Sequence, residues 1–162
     1  MDPTHIQEVE IKAVILVISS TRTEKEDTAG KQIHALLSGA SVPVLHIKII
    51  PDNINMIREG LLEALRSANC IILTGGTGIT RDDCTIEAVE PFFQKRLDGF
   101  GELFRLKSYE EVGTRAVLSR AAGGIIDGKA VFCIPGSKNA ADLATREIII
   151  PEIMHILTHA NK

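Results

Sequence analysis

The stretch Cys70-Ile71-Ile72-Leu73-Thr74-Gly75-Gly76-Thr77-Gly78 decides how this chain folds. Its first four residues are apolar without alternation, the pattern of a short strand buried on both faces, as in a parallel sheet. The glycines end the strand, and Thr85 stands where it can cap a helix carrying Ala88, Val89 and Phe92. Upstream, Ala13-Val14-Ile15-Leu16-Val17-Ile18 is a longer run of the same kind, followed by a polar loop from Ser19 to Asp27. Ile33, Leu36 and Leu37 then recur at helical spacing before Gly39. A second strand reads from Val42 to Ile50, and Ile57, Leu61, Leu62 and Leu65 mark the face of the next helix. Downstream, the mixed stretch from Gly99 to Arg120 is expected to be helical with a break near Gly113. Ile125-Ile126 and Ala130 to Ile134 flank Asp127-Gly128, a tight hairpin turn. A last helix runs through Leu143, Ile149, Ile153 and Leu157, kinked or split at Pro151. Strands alternating with helices predict a three-layer α/β/α sandwich, with a mostly parallel sheet and one antiparallel hairpin addition.

With 162 residues, the chain is expected to form one domain, residues 1–162, long enough to bury a core without disulfides or a metal clip. Eighteen Lys and Arg against 21 Asp and Glu give a net charge of −3, which argues against nucleic acid or an anionic membrane surface as partner. Cys70, Cys84 and Cys133 cannot all pair and form no C-x-x-C, which fits a reducing compartment. Met1-Asp2-Pro3-Thr4-His5 lacks the features of a signal peptide, and no apolar run spans a bilayer. A cytoplasmic location is therefore expected.

In such a sheet, ligands bind at the carboxyl ends of the strands. Three loops fall there: Pro51-Asp52, Gly75 to Asp83, and Pro135-Gly136-Ser137. In the second, Gly75, Gly76, Thr77 and Gly78 allow close backbone approach to a ligand, and exposed N–H groups there can cradle a phosphate. An ordinary strand-to-helix turn explains the same glycines. Asp52 after the second strand and Asp82-Asp83 after the third would meet at one sheet edge if those strands were neighbours. Paired carboxylates beside a phosphate cradle suit Mg²⁺, which takes a few carboxylates plus substrate phosphates. Singly, Asp52 reads as a turn-former and Asp82 or Asp83 as a helix-start charge. Ser137 reads either as a helix cap or as a ligand on the third loop.

Two decoys are set aside. Gly123-Gly124-Ile125-Ile126-Asp127-Gly128-Lys129 fits G-x-x-x-x-G-K, but Ala130 replaces the required hydroxyl and a strand follows. His155 and His159 have a metal-binding spacing without a Glu after His155 or an evident third ligand.

Taken in order, the motifs resemble the molybdopterin adenylyltransferase family, the MoaB and MogA proteins and the related G domain of gephyrin. The matching residues are Thr74-Gly75-Gly76-Thr77-Gly78, Arg81-Asp82-Asp83-Cys84-Thr85-Ile86-Glu87-Ala88 and Gly99-Phe100-Gly101-Glu102-Leu103-Phe104-Arg105. Ser108, Leu118-Ser119-Arg120-Ala121 with Gly123, and Pro135-Gly136-Ser137 complete the set. Asp27-Thr28-Ala29-Gly30 and Glu110-Glu111-Val112-Gly113-Thr114 resemble the MoaB branch more closely.

The resemblance implies molybdenum cofactor biosynthesis: Mg²⁺-dependent adenylylation of molybdopterin by ATP, giving adenylyl-molybdopterin and pyrophosphate. It implies Asp52 and Asp83 as catalytic, Mg²⁺-holding carboxylates, with Asp82 as an auxiliary where the family often has a basic residue. It assigns Gly75, Gly76, Thr77, Gly78, Gly136 and Ser137 to the nucleotide, and Ser108, Ser119 and Arg120 to molybdopterin. It further implies a homotrimer or hexamer, and a separate molybdenum insertase, since the chain leaves no room for a fused one. A non-catalytic molybdopterin-binding or scaffold paralogue is the alternative; a general nucleotide-binding regulator would leave Ser108 and Ser119 unexplained. The chemistry requires a positive local field, for which Arg105, Lys107, Arg120 and Lys138 are the candidates.

Overall fold

The computed structural model describes residues 8–162; the stretch 1–5, read above for leader features, lies outside them. Strand β1 (Ala13–Ile18) is buried at every position, because it lies inside the sheet with helices on both faces. β1 is flanked in parallel by β2 (Val44–Ile50) on one side and β3 (Cys70–Thr74) on the other. β3 is paired in parallel with β6 (Lys129–Ile134), and β6 turns back on β5 (Ala122–Ile126) through the Asp127-Gly128 hairpin. The strand order is β2-β1-β3-β6-β5-β4, where β4 is the two-residue Lys95–Arg96, antiparallel to β5. The expected mixed α/β sheet is thus present, with β4 as an additional edge strand.

Because strand side chains alternate, β1 feeds two separate cores. Ala13, Ile15 and Val17 pack on the layer of α1 (Thr28–Gly39), α4 (Asp98–Val112), α5 (Lys138–Ala144) and α6 (Ile150–Ala160). Val14, Leu16 and Ile18 pack on the opposite layer, α2 (Ile54–Ser67) and the short α3 (Thr85–Val89). Phe100 of α4 and Phe132 of β6 meet at 4.9 Å between ring centroids, fixing α4 to the sheet. The buried thiols of Cys70 and Cys133 belong to these cores, and burial pushes both up to about 12, so they remain protonated.

Several local expectations change. On α2 the inner face is Ile57, Gly60, Leu61, Ala64 and Leu65, whereas Leu62 is exposed, one helical step off the stripe. Thr85 does not cap α3: Cys84 holds the cap position without a side-chain bond, and the buried Thr85 hydroxyl donates instead to the Gly75 carbonyl (2.8 Å). Asp27 caps α1, its carboxylate accepting from Gly30 N–H at 2.8 Å. The last helix is split as expected: a π-helical turn at Thr145–Ile149 precedes α6, which carries Pro151 in its first turn. No helix of the described residues is long and apolar enough to cross a membrane.

Candidate functional site

The carboxyl ends of β1, β2, β3 and β6 open on a cleft of about 530 Å³. Four loops line it: Ser19 to Arg22 after β1, Asp52 after β2, Gly75 to Gly78 with Asp82 and Asp83 after β3, and Pro135-Gly136 after β6. A fifth wall comes from Arg115, Leu118 and Ser119 in and after the 3₁₀ segment Gly113–Leu118 that follows α4. Asp52 and Asp83 do share one edge of the sheet, but not as neighbours: β1 separates β2 from β3, and its own loop sits between them.

The backbone of the glycine loop is fixed by bonds to β6, to α3 and to the segment before β5. Gly75 N–H donates to Ile134 O (2.9 Å), Thr85 N–H to Gly76 O (3.0 Å) and Arg120 N–H to Thr77 O (3.2 Å). Gly75 and Gly76 have φ of +105° and +68°, a region that side chains disfavour. A Cβ on Gly75 would also lie 2.3 Å from Ile18 O, and one on Gly76 3.3 Å from Asp52 Oδ1. Glycine is required at both places by conformation and by space.

Each carboxylate is held by one oxygen. Asp52 Oδ2 accepts from Ser20 N–H (3.1 Å) and Ser20 Oγ–H (2.8 Å), and Asp52 N–H donates back to Ser20 Oγ (3.0 Å). Asp83 Oδ2 accepts from Thr80 N–H (2.9 Å) and Thr80 Oγ1–H (2.8 Å). Among the described residues neither Oδ1 receives a hydrogen bond, so both stay available to a cation. The Cys84 thiol beside them is held above its ordinary range, first by burial and then by the surrounding Asp52, Glu87, Asp83 and Asp82 carboxylates. Cys84 does not line the cleft, so the donor set there is hard oxygen, the kind that fits Mg²⁺ and disfavours thiophilic metals. No cluster of three or more His, Cys, Asp or Glu side chains suited to a metal exists among the described residues. Two carboxylates with phosphate oxygens and water completing the shell is an ordinary Mg²⁺ arrangement.

The remaining sequence candidates divide. Ser119 lines the cleft, and its Oγ accepts from Ala121 N–H at 3.3 Å. Arg120 turns inward to the loop: Nε donates to Gly78 O (2.9 Å) and the guanidinium pairs with Glu87. That pairing lowers Glu87 and raises Arg120 from their ordinary values, in each case chiefly through the hydrogen bond between them. Ser108, on α4, does not line the cleft. Ser137 is exposed and caps α5, accepting from Ala140 N–H at 3.2 Å, while Gly136 lines the cleft.

The expected positive field is not formed by the protein's side chains: Arg22 and Arg115 line the cleft against the carboxylates of Asp52, Asp82 and Asp83. Lys107 pairs with Glu147 across α4 and the π turn, Arg105 donates to Ala121 O (2.8 Å), and none of Arg105, Lys107 and Lys138 lines the cleft. The cleft's unpaired cations are Arg22 and Arg115, which form no ion pair among the described residues. These two and Ser20 escape a reading of three loops. The rule that ligands sit at strand carboxyl ends, applied to β1 as well, points directly to Ser19 to Arg22.

The sequence pattern described as "Probable molybdopterin binding domain" matches residues 14–155. The chain is 43% identical over 150 residues to the molybdenum cofactor biosynthesis protein B of Bacillus cereus, covering 91% of this chain and 89% of that protein. It is 44% identical over 158 residues to the protein of the same name from Staphylococcus epidermidis, covering 94% and 90%. Its fold superposes on the tungsten cofactor synthesizing protein MoaB from Pyrococcus furiosus with a TM-score of 0.88 and 42% identity, over 96% of this chain and 100% of that one. The chain belongs to the MoaB/MogA family of molybdenum cofactor biosynthesis, on its MoaB side.

Proposed function

We propose that this protein is a nucleotidyltransferase that adenylylates molybdopterin with ATP in a Mg²⁺-dependent reaction. The observation that carries this reading is the meeting of two half-bonded carboxylates, Asp52 and Asp83, with the Gly75 to Gly78 loop in one cleft. A terminal phosphate oxygen of molybdopterin attacks the α-phosphorus of ATP. The bond from that phosphorus to the β-bridging oxygen breaks, and the electron pair leaves with pyrophosphate. The protein's work is to hold two polyanions in line and to balance the charge that develops. Asp52 and Asp83 would hold Mg²⁺, with Asp82 as auxiliary; bound there, the cation supplies neutralising charge to the phosphates.

The N–H groups of Gly76, Thr77, Gly78 and Gly136, with the bare Cα of Gly75, line the nucleotide side, and Ser119 the molybdopterin side. Arg120 serves in this reading by pinning the carbonyl of Gly78, and Ser137 by starting α5 behind the Gly136 turn. Ser108 enters from the family resemblance alone. Apolar side chains exposed on α4 and its 3₁₀ extension, Leu106 (61%) and Val117 (81%), support self-association as part of the same reading. A separate molybdenum insertase as partner belongs to the same reading.

The test is pyrophosphate release by the full chain supplied with ATP, Mg²⁺ and molybdopterin. Release that depends on molybdopterin supports the reading. Tight molybdopterin binding with no release would instead favour a binding-only paralogue.

A further inference from the structure

Arg22 stands in the loop after β1, on the cleft wall shared with Gly75 and Gly136. One guanidinium nitrogen, Nη1, donates to Gly136 O at 2.8 Å. That bond ties the loop after β1 to the loop after β6 and fixes the orientation of a side chain that is otherwise long and mobile. Among the described residues, Nε and Nη2 have no hydrogen-bond partner and no carboxylate pairs with the charge. A guanidinium anchored by one nitrogen, with the rest of its planar fork open, is prepared to receive a phosphate through parallel charge-assisted bonds. Two glycines adjoin it: a Cβ on Gly136 would lie 3.1 Å from Gly75 Cα and 3.7 Å from Arg22 Nη1. The backbone is therefore bare where phosphates would pass.

We propose that Arg22 grips the β- and γ-phosphates of the bound nucleoside triphosphate and accepts the charge of the departing pyrophosphate. This rests on the adenylyltransferase reading above and adds a residue to it. Asp52 and Asp83 lie on the same cleft but can reach phosphate oxygens only through a cation. Arg22 is a direct donor, so it acts on the polyphosphate whether or not the cation is shared. As the bond between the α-phosphorus and the bridging oxygen breaks, the electron pair moves to that oxygen, and the fixed positive charge stabilises it without reorganisation.

The experiment measures equilibrium binding of ATP, AMP and inorganic pyrophosphate to the full chain with Mg²⁺ and no molybdopterin. Arg22→Gln removes the charge and leaves a shorter neutral amide; Arg22→Lys keeps the charge and removes the fork. Arg22→Gln is expected to weaken ATP and pyrophosphate about tenfold while AMP changes less than about twofold, with Arg22→Lys recovering part of the loss. Equal losses for ATP and AMP would mean that Arg22 only positions the loop, and would overturn the proposal. So would unchanged binding of all three. If wild type binds ATP and both variants bind it equally well, the clamp falls and the adenylyltransferase reading stands. If wild type binds no adenine nucleotide, both fall together.

Discussion

The two carboxylates of the cleft are held in the same way by different means. At each, one Oδ2 receives both the N–H and the hydroxyl of a single residue, Ser20 for Asp52 and Thr80 for Asp83. Thr80 is three positions from Asp83, inside one loop, so that clasp closes within a turn. Ser20 is 32 positions from Asp52 and comes from another strand's loop. It exists only once β1 and β2 are paired, with Ser19 N–H on Ile50 O at 2.9 Å extending their ladder to the site. One carboxylate is thus set by local sequence and the other by the sheet.

The largest effect expected is from the carboxylates themselves. Asp52→Asn and Asp83→Asn keep size and one acceptor while removing the charge, and each should cut molybdopterin-dependent pyrophosphate release by about 10²-fold or more. The fold should be retained, because both side chains are half-exposed loop groups outside the two cores. Equal turnover in either variant, with an unchanged thermal midpoint, would remove that residue from the mechanism.

The clasps themselves should separate the two sites. Ser20→Ala removes the hydroxyl that joins the ends of β1 and β2, and Asp52 then keeps one of its two donors. Loss of a hydrogen bond to a charged group costs about 1.5 kcal/mol, less when water can replace it, so a fall in kcat/KM of about five- to tenfold is expected. Thr80→Ala leaves the Thr80 N–H and a short loop to hold Asp83, and the fall should be nearer two- to threefold. A larger effect at Thr80 than at Ser20 would break the distinction between a local clasp and one built by the sheet.

The same division sets what the sequence makes legible. β1 and β3 can be read directly because continuous apolar runs are what a doubly covered parallel strand requires, and their loops follow. The Gly75-Gly76 turn is legible because its constraint, positive φ, acts on those residues themselves. The Ser20 clasp and the Arg22 bond to Gly136 join residues 32 and 114 positions apart, and no local pattern encodes them. β4 is missed for a related reason: Lys95 and Arg96 are charged and only two, and become a strand only through Ile125 and Gly124. Thr85 misleads because its hydroxyl has two uses, a helix cap or a bond to Gly75 O, and the crossing of the loop over α3 selects the second. Arg120 likewise reads as a free cation until Glu87, 33 positions away, is seen to meet it.

That last pair gives the smallest and most specific test. Arg120 links the glycine loop to α3, donating to Gly78 O and pairing with Glu87, whose carboxyl is held below its ordinary value of 4.5, first by the Arg120 hydrogen bond. A carboxyl whose folded value is depressed contributes stability above its unfolded value and loses it as pH falls through the folded one. Wild type should therefore exceed Glu87→Gln in stability near neutral pH, and the difference should fade below about pH 4.5 as Glu87 protonates in the unfolded and then in the folded chain. Both side chains are partly exposed, so solvent screening keeps the difference under about 1 kcal/mol. Denaturant midpoints of the two proteins at pH 7 and pH 3 measure it. A gap that persists undiminished at pH 3 would mean that Glu87 holds α3 by packing, and that the Arg120 link to Gly78 stands without it.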